Sequence, residues 1–203
     1  MTVWTETTTP RPLLTRYNAV AMSLHWLIAA LLIANIVLAW YFNTLPRAAQ
    51  IAPIQLHKSF GITILVLSLA RLAWRIISPP PPLPAAVVGW ERWAAGTVYV
   101  LFYVVMIGMP LSGWATVSAS KFIHVFPIRL YGAIPWPAIG PLTTLPPTQM
   151  HAAHAVAWTT HQWLAKLAYA LIVLHVAAAL RHQFIRRDQV AARMIPFLKA
   201  RPT

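Results

Sequence analysis

His25, His57, His161 and His175 are the residues best suited to chemistry, because each imidazole lies in or beside a long apolar run. A histidine in hydrocarbon has two ring nitrogens to satisfy, so it either bonds a neighbouring span or holds a ligand. The stretch HQWLAKLAYALIVLH, residues 161–175, begins and ends with one. A helix rises about 1.5 Å and turns about 100° per residue, which puts His161 and His175 on nearly one face, about 21 Å apart. That separation fits two levels within a hydrocarbon core about 30 Å thick.

The elements that position them follow from composition. Of 203 residues, 59% are hydrophobic and 9% charged, whereas a soluble domain carries about a quarter charged residues. The chain reads as all-α, an integral membrane four-helix bundle forming one unit over 1–203, with spans near 19–42, 54–77, 93–117 and 156–182. Trp40, Tyr41 and Phe42 close the first span like an interfacial belt. A proline-rich stretch from Pro79 to Pro84 ends the second as a stiff connection, and Pro110 predicts a bend in the third. About forty residues between the third and fourth spans are rich in proline and poor in charge, which predicts a surface cap and not a fifth span.

The net charge of +13 sits at the ends of apolar runs, where it sets topology, and so argues against nucleic acid as a partner. Arg11, Arg16, Arg75, Arg92, Arg181, Arg186, Arg187, Arg193, Lys199 and Arg201 fall on one side, and Arg47, Lys58, Lys121, Arg129 and Lys166 on the other. This asymmetry places both termini in the cytoplasm and the long loop outside. Without cysteine, the chain can form no disulfide, no thiolate metal site and no thioether link to a cofactor.

Depth then pairs the histidines. His25 lies six residues into the first span and His175 six before Arg181, while His57 and His161 each follow the outer start of a span. Two pairs result: His25 with His175 on the cytoplasmic side, and His57 with His161 on the outer side. Two imidazoles facing across a bundle suit haem iron better than zinc, which usually takes four protein ligands. The positions four after these histidines are Ala29, Gly61, Ala165 and Ala179, small enough for a porphyrin to lie against. A lone membrane histidine can equally serve as a bond between spans, but four at matched depths favour two haem sites.

Other residues have two readings each. Arg71, fourteen after His57 and at the inner level, either meets a haem propionate or extends to the headgroups. Lys58 and Lys166 flank the outer level, as propionate partners or as interfacial anchors. His182, seven after His175, either relays protons or is a solvated interfacial residue. His151 and His154 could share a helix face and bind a metal ion, or be ordinary loop residues. His154 is also a spare outer ligand if the fourth span begins early. His124 has no assigned role.

YNAVAMSLHW (17–26), LHKSFG (56–61), LARLAWR (69–75), MPLSGW (109–114) and the segment 161–196 together resemble the bacterial cytochrome b561 family, relatives of the b-type subunits of membrane-bound hydrogenases. The resemblance covers all four spans. It implies a bacterial cytoplasmic-membrane cytochrome with two b-type haems ligated by His25, His57, His161 and His175, passing electrons between a donor and the quinone pool. Superoxide is one donor that the family admits; the long third loop departs from compact members and leaves the donor open. A competing expectation is a membrane-anchor subunit relaying electrons from a separate dehydrogenase or hydrogenase. A histidine-based metal or proton transporter is disfavoured, because the three acids, Glu6, Glu91 and Asp188, lie outside every span.

Overall fold

The computed structural model describes residues 16–82, 89–187 and 190–197. Expectations resting on Glu6, Arg11, Pro84, Asp188, Lys199 and Arg201 therefore lie outside the described residues. Four long apolar helices form the body: α1 (Ala19–Asn43), α2 (Ile51–Ile77), α3 (Gly89–Ser118) and, after a short α4 (Gly140–Thr143), α5 (Pro147–Leu180). The chain is a helical membrane bundle of four spans. Ile33, Val37, Ile76, Val173 and Leu174 are exposed around it, as side chains facing lipid are.

Local chemistry sets the ends. Asn18 caps α1, its side-chain oxygen accepting from the Ala21 amide at 2.9 Å. Pro53 sits in the first turn of α2, where a proline's missing N–H costs no helical bond. The fourth helix begins at Pro147, well before the expected start near Val156. Its first turns, PTQMHAAH, carry too many polar residues to register as hydrocarbon, yet Pro147 is preset for a first helical position. The helix therefore extends past the apolar run into the cap.

Helix α1 packs on α2, α2 on α3, and α3 on α5. Ile28, Leu32, Ile64 and Met106 form the centre of one core, and Val105, Ala168 and Leu171 another. In lipid, such contacts rest on van der Waals packing and small residues at helix interfaces more than on escape from water. Ser59 and Ser68 are fully buried small residues of this kind on α2.

The region between α3 and α5 is a cap, as expected, with a detail that hydropathy could not give: a two-stranded antiparallel ribbon, β1 (Arg129–Leu130) and β2 (Ile134–Pro135). Two serines peg it to the bundle. Ser59 donates to the Gln55 carbonyl (2.8 Å) and accepts the Tyr131 amide (2.9 Å). Ser118 donates to the Trp114 carbonyl (2.8 Å) and accepts the Ile139 amide (3.0 Å). Trp114 also donates its indole N–H to the Pro137 carbonyl at 2.9 Å.

At the opposite end the tail returns to α1. Arg16 donates to the Ile195 carbonyl at 2.8 Å, and the Trp26 indole to the Met194 carbonyl at 2.9 Å. Beyond α5 the chain makes a π-helical turn, Arg181–Arg186. Arg181 (3.1 Å) and Arg186 of this turn bond Glu91, whose side chain is only 7% exposed. Glu91 also lies in the first turn of α3, where its charge complements the helix dipole. Glu91→Ala leaves two guanidiniums facing a buried gap; the expected cost is about 1–3 kcal/mol, read as a lowered melting temperature in detergent, with Glu91→Asp intermediate.

Candidate functional site

The structure brings together the histidines that depth pairs. At the inner level His25 of α1 faces His175 of α5, ring centroids 6.2 Å apart and planes 70° apart. At the outer level His57 of α2 faces His161 of α5 at 6.3 Å and 76°. Helices α1 and α5 pack along each other less than α1 does on α2 or α3 on α5, and meet at the Trp40 and Tyr169 rings, 6.0 Å apart.

Aromatic neighbours limit how these rings can turn. Phe42 meets His57 edge-on at 5.5 Å, and Trp158 stacks on His161 at 6.4 Å. Trp26 and Phe102 stand at 5.4 and 5.3 Å from His25 and His175 respectively.

At the outer level hydrogen bonds fix the tautomers. His57 Nδ1 donates to the Asn35 carbonyl (3.3 Å), and His161 Nδ1 to the Met109 carbonyl (2.9 Å). A neutral imidazole that donates from Nδ1 keeps its Nε2 lone pair for a metal, the usual arrangement of a ligating histidine. Ser112 Oγ, 3.3 Å from His161 Nδ1, donates to the same Met109 carbonyl at 2.9 Å. At the inner level Arg71 Nη1 lies 2.8 Å from His25 Nδ1.

The spacing can be tested against iron. A five-membered ring with bonds of about 1.33 Å has a radius of about 1.1–1.2 Å, and a metal–imidazole bond is about 2.0 Å. Two rings gripping one metal from opposite sides thus have centroids about 6.2–6.4 Å apart, as both pairs do. Among the described residues no group of three or more His, Cys, Asp or Glu could hold a metal ion. A macrocycle would supply the coordination that two imidazoles leave open. The residues present therefore fit haem.

A sequence model of prokaryotic cytochrome b561 matches residues 16–197. The chain belongs to the prokaryotic cytochrome b561 family. It is 33% identical over 184 residues to cytochrome b561 homolog 2 of Escherichia coli K12, covering 89% of this chain and 91% of that protein. It is 29% identical over 192 residues to the "Probable superoxide oxidase CybB" of Yersinia pestis, with 89% and 96% covered. Cytochrome b561 homolog 1 of Escherichia coli K12 is 26% identical over 192 residues, with 89% and 97% covered. As a member of the cytochrome b561 family, the chain is a multi-pass protein of the bacterial inner membrane that binds b-type haem for electron transport.

The remaining candidates fall into place around this b561 bundle. Arg71 is half-buried, with its Nη1 against His25 Nδ1. Lys58 is half-buried beside His57. Lys166 is exposed and lies over the Trp163 ring at 4.2 Å. His182 lies in the π-helical turn, so the α-helical spacing that aligned it with His175 does not apply. His151 and His154 are on the first turns of α5, not in a loop. Although α5 begins early, His161 and not His154 faces His57. His124 is exposed and lines a cavity in the cap with Trp136 and Thr143.

Sequence reasoning missed Asn35, Met109, Ser112 and Gly113. A backbone carbonyl as partner leaves no side-chain signature, so Asn35 and Met109 were invisible in this role. Gly113 had a signal, a glycine inside a helix three residues after Pro110. A Cβ built there would lie 3.1 Å from His161 Cε1 and 3.2 Å from Nδ1, closer than ordinary contact. Gly113→Ala should therefore lower the haem content of the purified protein, measured by pyridine haemochrome against protein concentration. Gly96→Ala, whose added Cβ would meet nothing within 4 Å, should leave it unchanged.

Proposed function

We propose that this cytochrome carries two b-type haems, one held by His25 and His175 near the cytoplasmic face and one by His57 and His161 near the outer face, and passes electrons between an outer donor and the quinone pool. The observation that carries the proposal is the repeated spacing of the two imidazole pairs, 6.2 and 6.3 Å. Haem, when bound, supplies the one-electron couple; the protein supplies position and potential. With an imidazole on each side the iron would have no open coordination site, and transfer would be outer-sphere.

The chain's own residues set the route. His161 and His175 share α5, about 21 Å apart along its axis, so one helix spans both levels. Asn35 and Met109 hold the outer rings in the ligating tautomer. Quinone reduction also consumes protons, for which His182 and cytoplasmic water at the inner end are the sources. Both termini are cytoplasmic in this reading, which the basic residues at that end support.

The donor proposed is superoxide, following the printed name of the Yersinia relative. The outer end favours an anion: Arg47, Lys58, Lys121, Arg129 and Lys166 lie on that side, while the acid among the described residues, Glu91, is at the other end. Like charge arranged so raises the encounter rate of an anionic substrate. A cytochrome taking electrons from a small anion is preferred to an anchor subunit, following the printed name of that relative.

Pyridine haemochrome analysis of the purified protein should give about two haems per chain. His57→Ala and His161→Ala should each remove one and spare the other, as should His25→Ala and His175→Ala at the inner level. Retention of both haems by any of these four variants would reject the pairing.

A further inference from the structure

We infer that the groove between α2 and α3 is a site for one anionic phospholipid, with its phosphate on Arg75 at the end where α1 begins and an acyl chain lying along α3 from Tyr99 to Gly108. The inference needs only that the chain spans the membrane. It does not rest on the number of haems or on the donor proposed above.

The cation comes first. Arg75 is half-buried, two residues before the end of α2. Its neighbour Trp74 donates the indole N–H to Asn18, the cap of α1, at 3.1 Å, which marks this level as the boundary of the spans. The Arg75 guanidinium lies over the Tyr99 ring, 3.8 Å from its centroid. A ring face attracts the charge but leaves the fork of five N–H donors to be satisfied elsewhere. Arg75 makes no hydrogen bond and no ion pair among the described residues. Arg71, one turn deeper on α2, adds a like charge. Glu91, the acid among the described residues, is held by Arg181 and Arg186. A lipid phosphate lies at this depth in any bilayer and matches the guanidinium fork.

The groove beside Arg75 suits the other half of the same molecule. It has a volume of about 490 Å³ and is lined by Leu72 of α2 and by Val100, Val104, Ile107 and Gly108 of α3. Tyr99 and Tyr103, whose rings meet at 4.9 Å, complete the wall. Val100 and Val104 are exposed, so the groove opens toward lipid. From Tyr99 to Gly108 the helix rises about 13 Å, close to half of a hydrocarbon core about 30 Å thick. That is the depth of one leaflet. A quinone would fit the apolar wall but, being neutral, would leave Arg75 without its anion; a phospholipid supplies both parts.

Native mass spectrometry tests this on the full-length protein, delipidated in detergent and mixed with equal amounts of phosphatidylglycerol and phosphatidylcholine. The wild type should retain one lipid, phosphatidylglycerol in preference. Arg75→Gln should weaken that retention at least about fivefold, while Arg75→Lys, which keeps the charge but not the fork, should be intermediate. Arg187→Gln, removing a charge from the exposed end of the π-helical turn, should leave retention unchanged. Val104→Trp, which fills the groove from its lipid-facing side, should weaken retention with Arg75 intact. Equal retention of the two lipids by the wild type, an equal loss in Arg75→Gln and Arg187→Gln, full retention by Val104→Trp, or displacement of the lipid by an equimolar short-chain quinone would overturn the inference. Should Arg75→Gln fail to fold, the wild-type preference and Val104→Trp still decide.

Discussion

An imidazole in hydrocarbon loses free energy for each nitrogen left idle, and the outer level of the bundle answers that cost. At the outer level one nitrogen of each ring is directed to a carbonyl of a neighbouring helix, which leaves the other with its lone pair for a ligand. Helix α3 donates no histidine, yet it sets His161 through the Met109 carbonyl and leaves room for the ring at Gly113. A helix without a ligand is thus as necessary to the outer level as the two that have one. The same economy of small residues appears at Ser59 and Ser118, each bonded to its own helix while receiving an amide of the cap.

The two ends of the bundle are held by different forces. The outer end is covered by neutral hydrogen bonds and apolar packing, with Ile123, Ile128 and Leu130 of the cap buried against Ile62 of α2. The cytoplasmic end is tied by charge, Glu91 gathering Arg181 and Arg186, and by the tail lying against Arg16 and Trp26.

The membrane helices and the pairing of histidines were legible in the sequence because both depend on depth, and depth is a count of residues along an apolar run. His25 and His175, or His57 and His161, could be matched without any knowledge of which helices touch. The start of α5 was not legible, since Gln149, His151 and His154 continue the helix beyond the apolar region that reveals it. The ribbon at Arg129–Pro135 escaped notice because four paired residues leave no periodic signal. Arg71 was placed at the right level but not against His25, because a flexible side chain's target is set by packing and not by spacing.

Helix α5 contributes one ring to each facing pair, and it follows α1 and α2 in the chain. Synthesis runs from the N-terminus, so His25 and His57 are made before either counterpart. Neither level can close around anything until α5 has inserted. A ribosome stalled before α5 therefore leaves a nascent protein without a complete pair at either depth.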